Sequence, residues 1–315
     1  MSTSSFSICR RQLATLISLL ALIFFLTPCL ARDVPRNIHE FYKSVRNKGH
    51  CDKELEKGFY SGLNDDPKPT LISYCGDHLS TNGVIYLQGR NGHLTNMDVD
   101  CDGLRGPGGN PSSRTRSRVA AADQRCSASL SPDIQNQTAF QSIVASYNKP
   151  GLKDLDPYVH PYVVFGNAAG TQGRKGWKEF DPKKYGVKPL SVMAVVCGDQ
   201  MFYGVWGDVN GDDDPKPLVG EASLALATAC GGSQISGDNG IDEDEILYLA
   251  FVGDEAVPGA DGADWTASDM ATFEKSIAGL GDRLVGKVEA GSGPIMTAPW
   301  ALAASLAVTS GLLLG

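Results

Sequence analysis

Six cysteines lie between two apolar ends, and they limit what this chain can become more than any other feature. Cys51, Cys75, Cys101, Cys126, Cys197 and Cys230 remain once the first 31 residues are set aside. That leader carries Arg10 and Arg11, then the apolar run "LATLISLLALIFFL" at 13–26, then "TPCLA" ending at Ala31. A basic start, an apolar run short of the ~20 residues a bilayer span needs and a small-residue cleavage site read as a signal peptide removed after Ala31. Lipidation at Cys29 is the weaker alternative, because Pro28 sits where such a site wants a small residue. Export takes the chain into an oxidising compartment, where the six cysteines can close three disulfides. No pair is spaced as Cys-x-x-Cys, so structural zinc is disfavoured. Which cysteine joins which stays open.

The other end is also apolar. After Glu289 the chain carries no charge: "AGSGPIMTAPWALAASLAVTSGLLLG". Small residues at 290–293, an uncharged spacer and an apolar tail from Trp300 have the layout of a GPI-anchor signal, with Gly291 or Ser292 as lipidation candidates. A transmembrane helix competes, but the tail contains Pro299 and no basic residues follow it. The organisation expected is a leader at 1–31, one domain at 32–289 and a removable tail at 290–315. Asn136-Gln137-Thr138 is an N-glycosylation sequon, placing Asn136 as the modified residue of an exported chain.

Charge narrows the partners. With 28 basic against 36 acidic residues the formal net charge is −8. Nucleic acid is therefore excluded as a natural partner, while a polycation would be attracted. A monomer is expected, touching a membrane only through the lipid.

Hydrophobic periodicity outlines the domain. Ile38, Phe41, Tyr42 and Val45 recur at helical spacing in 37–45, as do Phe140, Ile143, Val144 and Tyr147 in 138–147. Met270, Phe273, Ile277, Leu280, Leu284 and Val288 make the clearest helix, with Thr266 or Ser268 as candidate N-caps and Gly279 and Gly281 as weak points. The runs at 84–87, 161–165, 190–197, 201–206 and 246–252 are short, apolar and rich in β-branched or aromatic residues, so they read as buried strands. "GLRGPGGNPSSRTRSR" at 103–118 reads as an exposed loop. The fold class is α+β: a compact, β-rich, barrel-like single domain with flanking helices, stapled by disulfides.

Carboxylates carry the candidate chemistry. "DVDCDG" at 98–103 has the spacing of half a calcium loop, but Gly109 stands where the bidentate glutamate belongs. A structural turn with at most an adventitious calcium is the reading there. "DVNGDD" at 208–213 fails the same test at Asp213 and Val219, and "DEDE" at 242–245 reads as a solvated turn. No cofactor and no metal are required. General acid–base work needs two carboxyl groups on separate supports facing one pocket. Asp208 follows a strand, Trp206 beside it offers a face for a sugar, and Glu221 returns after a Pro-containing excursion. Asp212 and Asp214 are candidates for binding substrate ammonium groups, against the bland reading of a solvated acidic turn.

The segments "CDKELEKGF" (51–59), "YCGD" (74–77), "TNMDVDCDG" (95–103), "HPYVVFG" (160–166), "PLSVMAVVC" (189–197), "YGVWGDVNGD" (203–212), "VGEASLALA" (219–227) and "ILYLAFVGDEAVPG" (246–259) add a resemblance. In this order they resemble the fungal chitosanases of glycoside hydrolase family 75 across nearly the whole domain. The resemblance implies an endo-acting, inverting hydrolase of β-1,4-linked glucosamine chains, with Asp208 and Glu221 as its essential pair. Apolar neighbours favour Glu221 as the acid and a polar turn favours Asp208 as the base, an assignment the sequence leaves reversible. The competing readings are a glycosidase of a neutral wall polymer, chitin or β-glucan, and a non-catalytic wall-binding protein.

Overall fold

The computed structural model describes residues 32–62, 71–103, 125–126, 137–171, 173–212 and 215–289. The leader, the C-terminal tail, most of the loop at 103–118, Asn136, Asp213 and Asp214 lie outside them.

Ten strands form one sheet: β1 (Arg32–Asp33), β2 (Glu54–Tyr60), β3 (Leu71–Cys75), β4 (Val84–Gln88), β5 (Thr95–Asp100), β6 (Tyr162–Asn167), β7 (Val192–Cys197), β8 (Gln200–Asn210), β9 (Glu221–Ser223) and β10 (Ile241–Phe251). Their order is β1-β8-β6-β9-β5-β10-β4-β3-β2, and β7 pairs with both β8 and β10. β8, β6, β9, β5, β10 and β7 therefore pair in a ring. The strands expected at 84–87, 161–165, 190–197, 201–206 and 246–252 are all present. β6 and β7 are buried along their whole length, as their unbroken apolar runs require.

Among the described residues five α-helices flank the sheet: α1 (Arg36–Lys48), α2 (Leu79–Asn82), α3 (Gln141–Ser146), α4 (Leu224–Gly231) and α5 (Met270–Val285). α1 buries Ile38, Phe41 and Val45, the face its spacing marked. α5 lies on β7 and β8 and buries Met270, Phe273, Ile277, Leu284 and Val285. Its N-cap is Asp269, whose side chain accepts from the Thr272 amide, and not Thr266 or Ser268. Gly281 is no weak point. A Cβ there would stand 2.5 Å from the Tyr203 ring, so the glycine lets helix and strand approach.

Arg32, the first residue beyond the expected cleavage point, is built into this core. Its guanidinium lies over the Tyr203 ring, 4.2 Å from the centroid, and reaches Asp282 at 2.9 Å and the buried Glu274 at 3.5 Å. Glu274 also accepts from the Tyr203 amide at 2.9 Å. Glu274 is buried while Arg32 stays partly exposed, so losing Arg32 would leave a buried carboxylate without its cation.

The disulfides join neighbours in sequence: Cys51–Cys75, Cys101–Cys126 and Cys197–Cys230. The first closes onto the end of β3, the second follows β5, and the third ties the end of β7 to α4. Two local readings are corrected. Asp98 and Asp100 belong to β5, not to a turn. Residues 242–245 lie inside β10, an eleven-residue strand whose first half is exposed or half-buried, not in a turn before it. Charged residues alternate poorly with apolar ones there, so no period marked the strand.

Candidate active site

Asp208 sits inside β8, where it is only 6 % exposed. The expected polar turn is not its setting. Gly207 makes its approach possible: a Cβ at that position would meet the Tyr162 Cβ at 2.5 Å and the Leu155 Cδ1 at 2.6 Å. Asp208 Oδ1 accepts from the amides of Ala139 at 2.9 Å and Val209 at 2.7 Å. Asp208 Oδ2 is buried and makes no hydrogen bond.

Glu221 opens β9. It is half-buried, and Asn210 Nδ2 donates to its Oε1 at 3.3 Å. The excursion from 208 to 221 does not bring the two acids onto adjacent strands. β6 runs between them, and its Val164 pairs with Asp208 on one side and Glu221 on the other. At ~4.8 Å per strand spacing, two spacings put the Cα atoms ~10 Å apart. Asn210 and Asp208 are two residues apart on one strand and so share a face. Since Asn210 reaches Glu221, both acids look onto that face.

The same face gathers acids that sequence reasoning set aside. Asp98 of β5 pairs with Glu221, and Asp100 follows two residues later. Carboxylate oxygens of Asp100, Asp102 and Asp208 all lie within 4.8 Å of one another, close enough for one metal ion to reach all three. Tyr162 donates its hydroxyl to the Asp102 carbonyl at 2.8 Å. Asp154 accepts from Thr138 N at 2.8 Å, Thr138 Oγ1 at 2.5 Å and Leu155 N at 2.8 Å. That holds the 138–139 segment whose next amide binds Asp208. The signal for Asp100 and Asp102 was present in "DVDCDG", but only the sheet brings it to Asp208.

Crowding these acids away from water shifts their protonation. Burial, then the charge of Asp100, raises Asp208 well above the ordinary carboxylate range, against the pull of its two amide donors. Burial lifts Asp100 to about 6, and burial raises Asp154 as well. Tyr162 is raised by burial and by the charges of Asp100, Asp208, Asp102 and Asp154. His160, in the nearby turn, is pushed down to about 4 by burial. It accepts from the Asp156 amide through Nδ1 and is a neutral structural group.

Two of the three expected binding residues, Trp206 and Asp212, serve other contacts. Trp206 is fully buried, packs edge-on against Phe140 and donates its indole N–H to the Asp208 carbonyl at 2.8 Å. It has no face for a sugar and instead holds the strand that carries Asp208. Asp212 accepts from the Thr171 amide and hydroxyl, so it pins the loop after β6. Asp214 lies outside the described residues, as does Asn136. Thr138 of the sequon is buried against Asp154, so glycosylation at Asn136 would have to precede folding. A cavity of about 530 Å³ lined by Arg174, Trp177, Lys178 and Lys184 includes none of the clustered acids.

An α+β domain presenting paired carboxyl groups, one buried and one wetter, fits the class of glycoside hydrolases. Comparison with known proteins agrees. Residues 97–287 match the family described as fungal chitosanase of glycosyl hydrolase group 75. Endo-chitosanase B of Aspergillus oryzae is 38% identical over 271 residues, 85% of this chain and 97% of its own. An endo-chitosanase of the same species is 40% identical over 267 residues, 84% and 95% of the two chains. One from Aspergillus fumigatus is 38% identical over 269 residues, 85% and 97%. The chain belongs to the group 75 glycosyl hydrolases and is a glycoside hydrolase.

Proposed function

We propose that this enzyme is an exported endo-chitosanase that cleaves β-1,4 bonds between glucosamine units with inversion, using Asp208 as general acid and Glu221 as general base. The observation that carries the assignment is the state of Asp208. One oxygen is fixed by two backbone N–H groups, the other is buried with no protein partner, and the group is biased toward its protonated form. A proton on Oδ2 is thereby committed to no protein acceptor, and its transfer to the leaving glycosidic oxygen requires substrate binding to open that buried oxygen. Glu221, half-buried beside Asn210, is open to the water it would activate on the opposite face of the ring. This reverses the roles that neighbouring residue types favoured. The cross-strand row with Val164 between the acids supports a separation near the ~6.5–9.5 Å of inverting enzymes, wide enough for that water.

The substrate follows from the relatives, which carry the name endo-chitosanase, and from the acidic surface, which attracts a polymer of ammonium ions. A single domain is the organisation favoured, and the ring of six paired strands supports a barrel-like reading. The ion pairs of Arg32 support a mature chain that begins at or before that residue, as cleavage after Ala31 provides. Among the described residues no helix is long and apolar enough to cross a membrane. The tail beyond 289 supports a lipid anchor at Gly291 or Ser292, for which release of activity by a phosphatidylinositol-specific phospholipase is the expected result. A mature protein whose mass retains residues 300–315 would exclude it.

Time-resolved product analysis on chitosan with anomer detection tests the main reading. Internal cuts and inverted α-anomers are expected at first turnover. Retained configuration would overturn the two-carboxylate roles, and faster cleavage of fully acetylated chitin would favour a neutral-polymer hydrolase.

A further inference from the structure

We infer that Asp100, Asp102 and Asp208 form a divalent cation site, and that the ion it fits is calcium. Three observations carry this. The first is geometric. Carboxylate oxygens of all three acids lie within 4.8 Å of one another, close enough for one ion to gather them. Calcium, with six to eight oxygens at ~2.3–2.6 Å in flexible geometry, accepts such an irregular protein-built set more readily than magnesium with its near-octahedral shell. The second is the buried Asp208 Oδ2. Asp208 is 6 % exposed, its carboxylate is one of the three gathered groups, and its Oδ2 makes no hydrogen bond although buried polar atoms are normally paired. The third is the donor chemistry. The set is all oxygen, with no histidine or thiolate, which suits a hard cation and not zinc or copper.

The backbone prepares the site. Asp100 Oδ1 accepts from the Asp102 amide at 2.6 Å, which folds the segment after β5 back on itself, and the Cys101–Cys126 bridge fixes the residue between them. Repulsion among the acids is the reason to expect a cation: several carboxylates gathered away from water cannot all stay ionised without one. Water or substrate hydroxyls complete the shell, since calcium takes six to eight oxygens. An ion on the Asp208 carboxylate occupies the group that the acid uses, so the same ion inhibits hydrolysis. That consequence alone rests on Asp208 being the acid.

Terbium is the probe. Trp206 is bonded to the Asp208 carbonyl and Tyr162 to that of Asp102, so both can sensitise a lanthanide held there. Chelator-stripped mature enzyme titrated with TbCl3 is expected to show saturable one-site emission that CaCl2 displaces. Asp102→Asn is expected to weaken terbium binding at least tenfold, while Asp242→Asn, an exposed acid of β10, leaves it unchanged. Should the Asp102 variant fail to fold, the wild-type melting temperature must still rise with CaCl2 in the millimolar range. Absence of saturable emission, or equal affinity in both variants, overturns the site. Calcium binding without inhibition of chitosan hydrolysis supports the site and counts instead against Asp208 as the acid.

Discussion

Asp208→Asn is expected to lower turnover on chitosan by a factor on the order of 10²–10⁴, the usual contribution of a general acid. Asparagine keeps the acceptor oxygen that the Ala139 and Val209 amides hold, so the fold and substrate capture should survive. Stability supplies a control with a definite sign. Asp208 and Asp100 both titrate higher in the folded protein than in the unfolded chain, Asp100 at about 6. Groups of this kind add stability that is full below an unfolded carboxylate pKa of ~4 and is lost as pH rises through the folded values. Buried His160, held down to about 4, works in the opposite sense up to ~pH 6.5, so the readout is the difference: the wild-type melting temperature should drop relative to that of D208N between pH 5 and pH 8. A folded D208N enzyme with near-normal turnover would sink the assignment of the acid. A melting-temperature difference between the two proteins that stays constant across that window would contradict the buried cluster.

Opening the Cys101–Cys126 bridge should cost more than stability. The bridge closes a loop with a sequence separation of 25, for which chain entropy gives ~3–4 kcal/mol. The Cys51–Cys75 bridge, with a separation of 24, should give nearly the same loss. Their effects on catalysis should differ. Cys101 stands between Asp100 and Asp102, whereas Cys51 and Cys75 tie β2 and β3 at the far end of the strand order. Urea melts and chitosan turnover on the C101S/C126S and C51S/C75S proteins separate the two. Similar destabilisation with activity lost mainly in C101S/C126S is expected, and equal activity loss would remove the bridge from any role at the site.

The roles proposed for the two acids rest on burial and not on residue type. Asp208 lies in a segment full of polar residues, which by itself describes an ionised base. The sheet reverses this by closing Tyr162, Trp206 and the 138–139 segment around it, leaving the half-buried Glu221 in the wetter place. Trp206 was misread for the same reason. A tryptophan beside a catalytic carboxylate looks like a sugar platform until its ring is found packed against Phe140.

Local pattern by itself determined the periodic elements. Residues 37–45, 138–147 and 270–288 carried the helical period, and the apolar runs from 84 to 252 carried the strands, because each buries one stripe or both faces against a single core. It also determined the six cysteines that close three disulfides, the acidic charge and the segment that holds Asp208 and Glu221. Tertiary structure decided which cysteines pair, that Asp98 and Asp100 belong to a strand, and that Gly281 serves contact with Tyr203. It also decided that Val164 separates the two acids and that Asp100 and Asp102 join Asp208. Pairing along β5, β9, β6 and β8 joins strands distant in sequence and brings Asp100 to Asp208, more than a hundred positions on. Register across such distances depends on all the strands closing together, and no short window of residue types contains it.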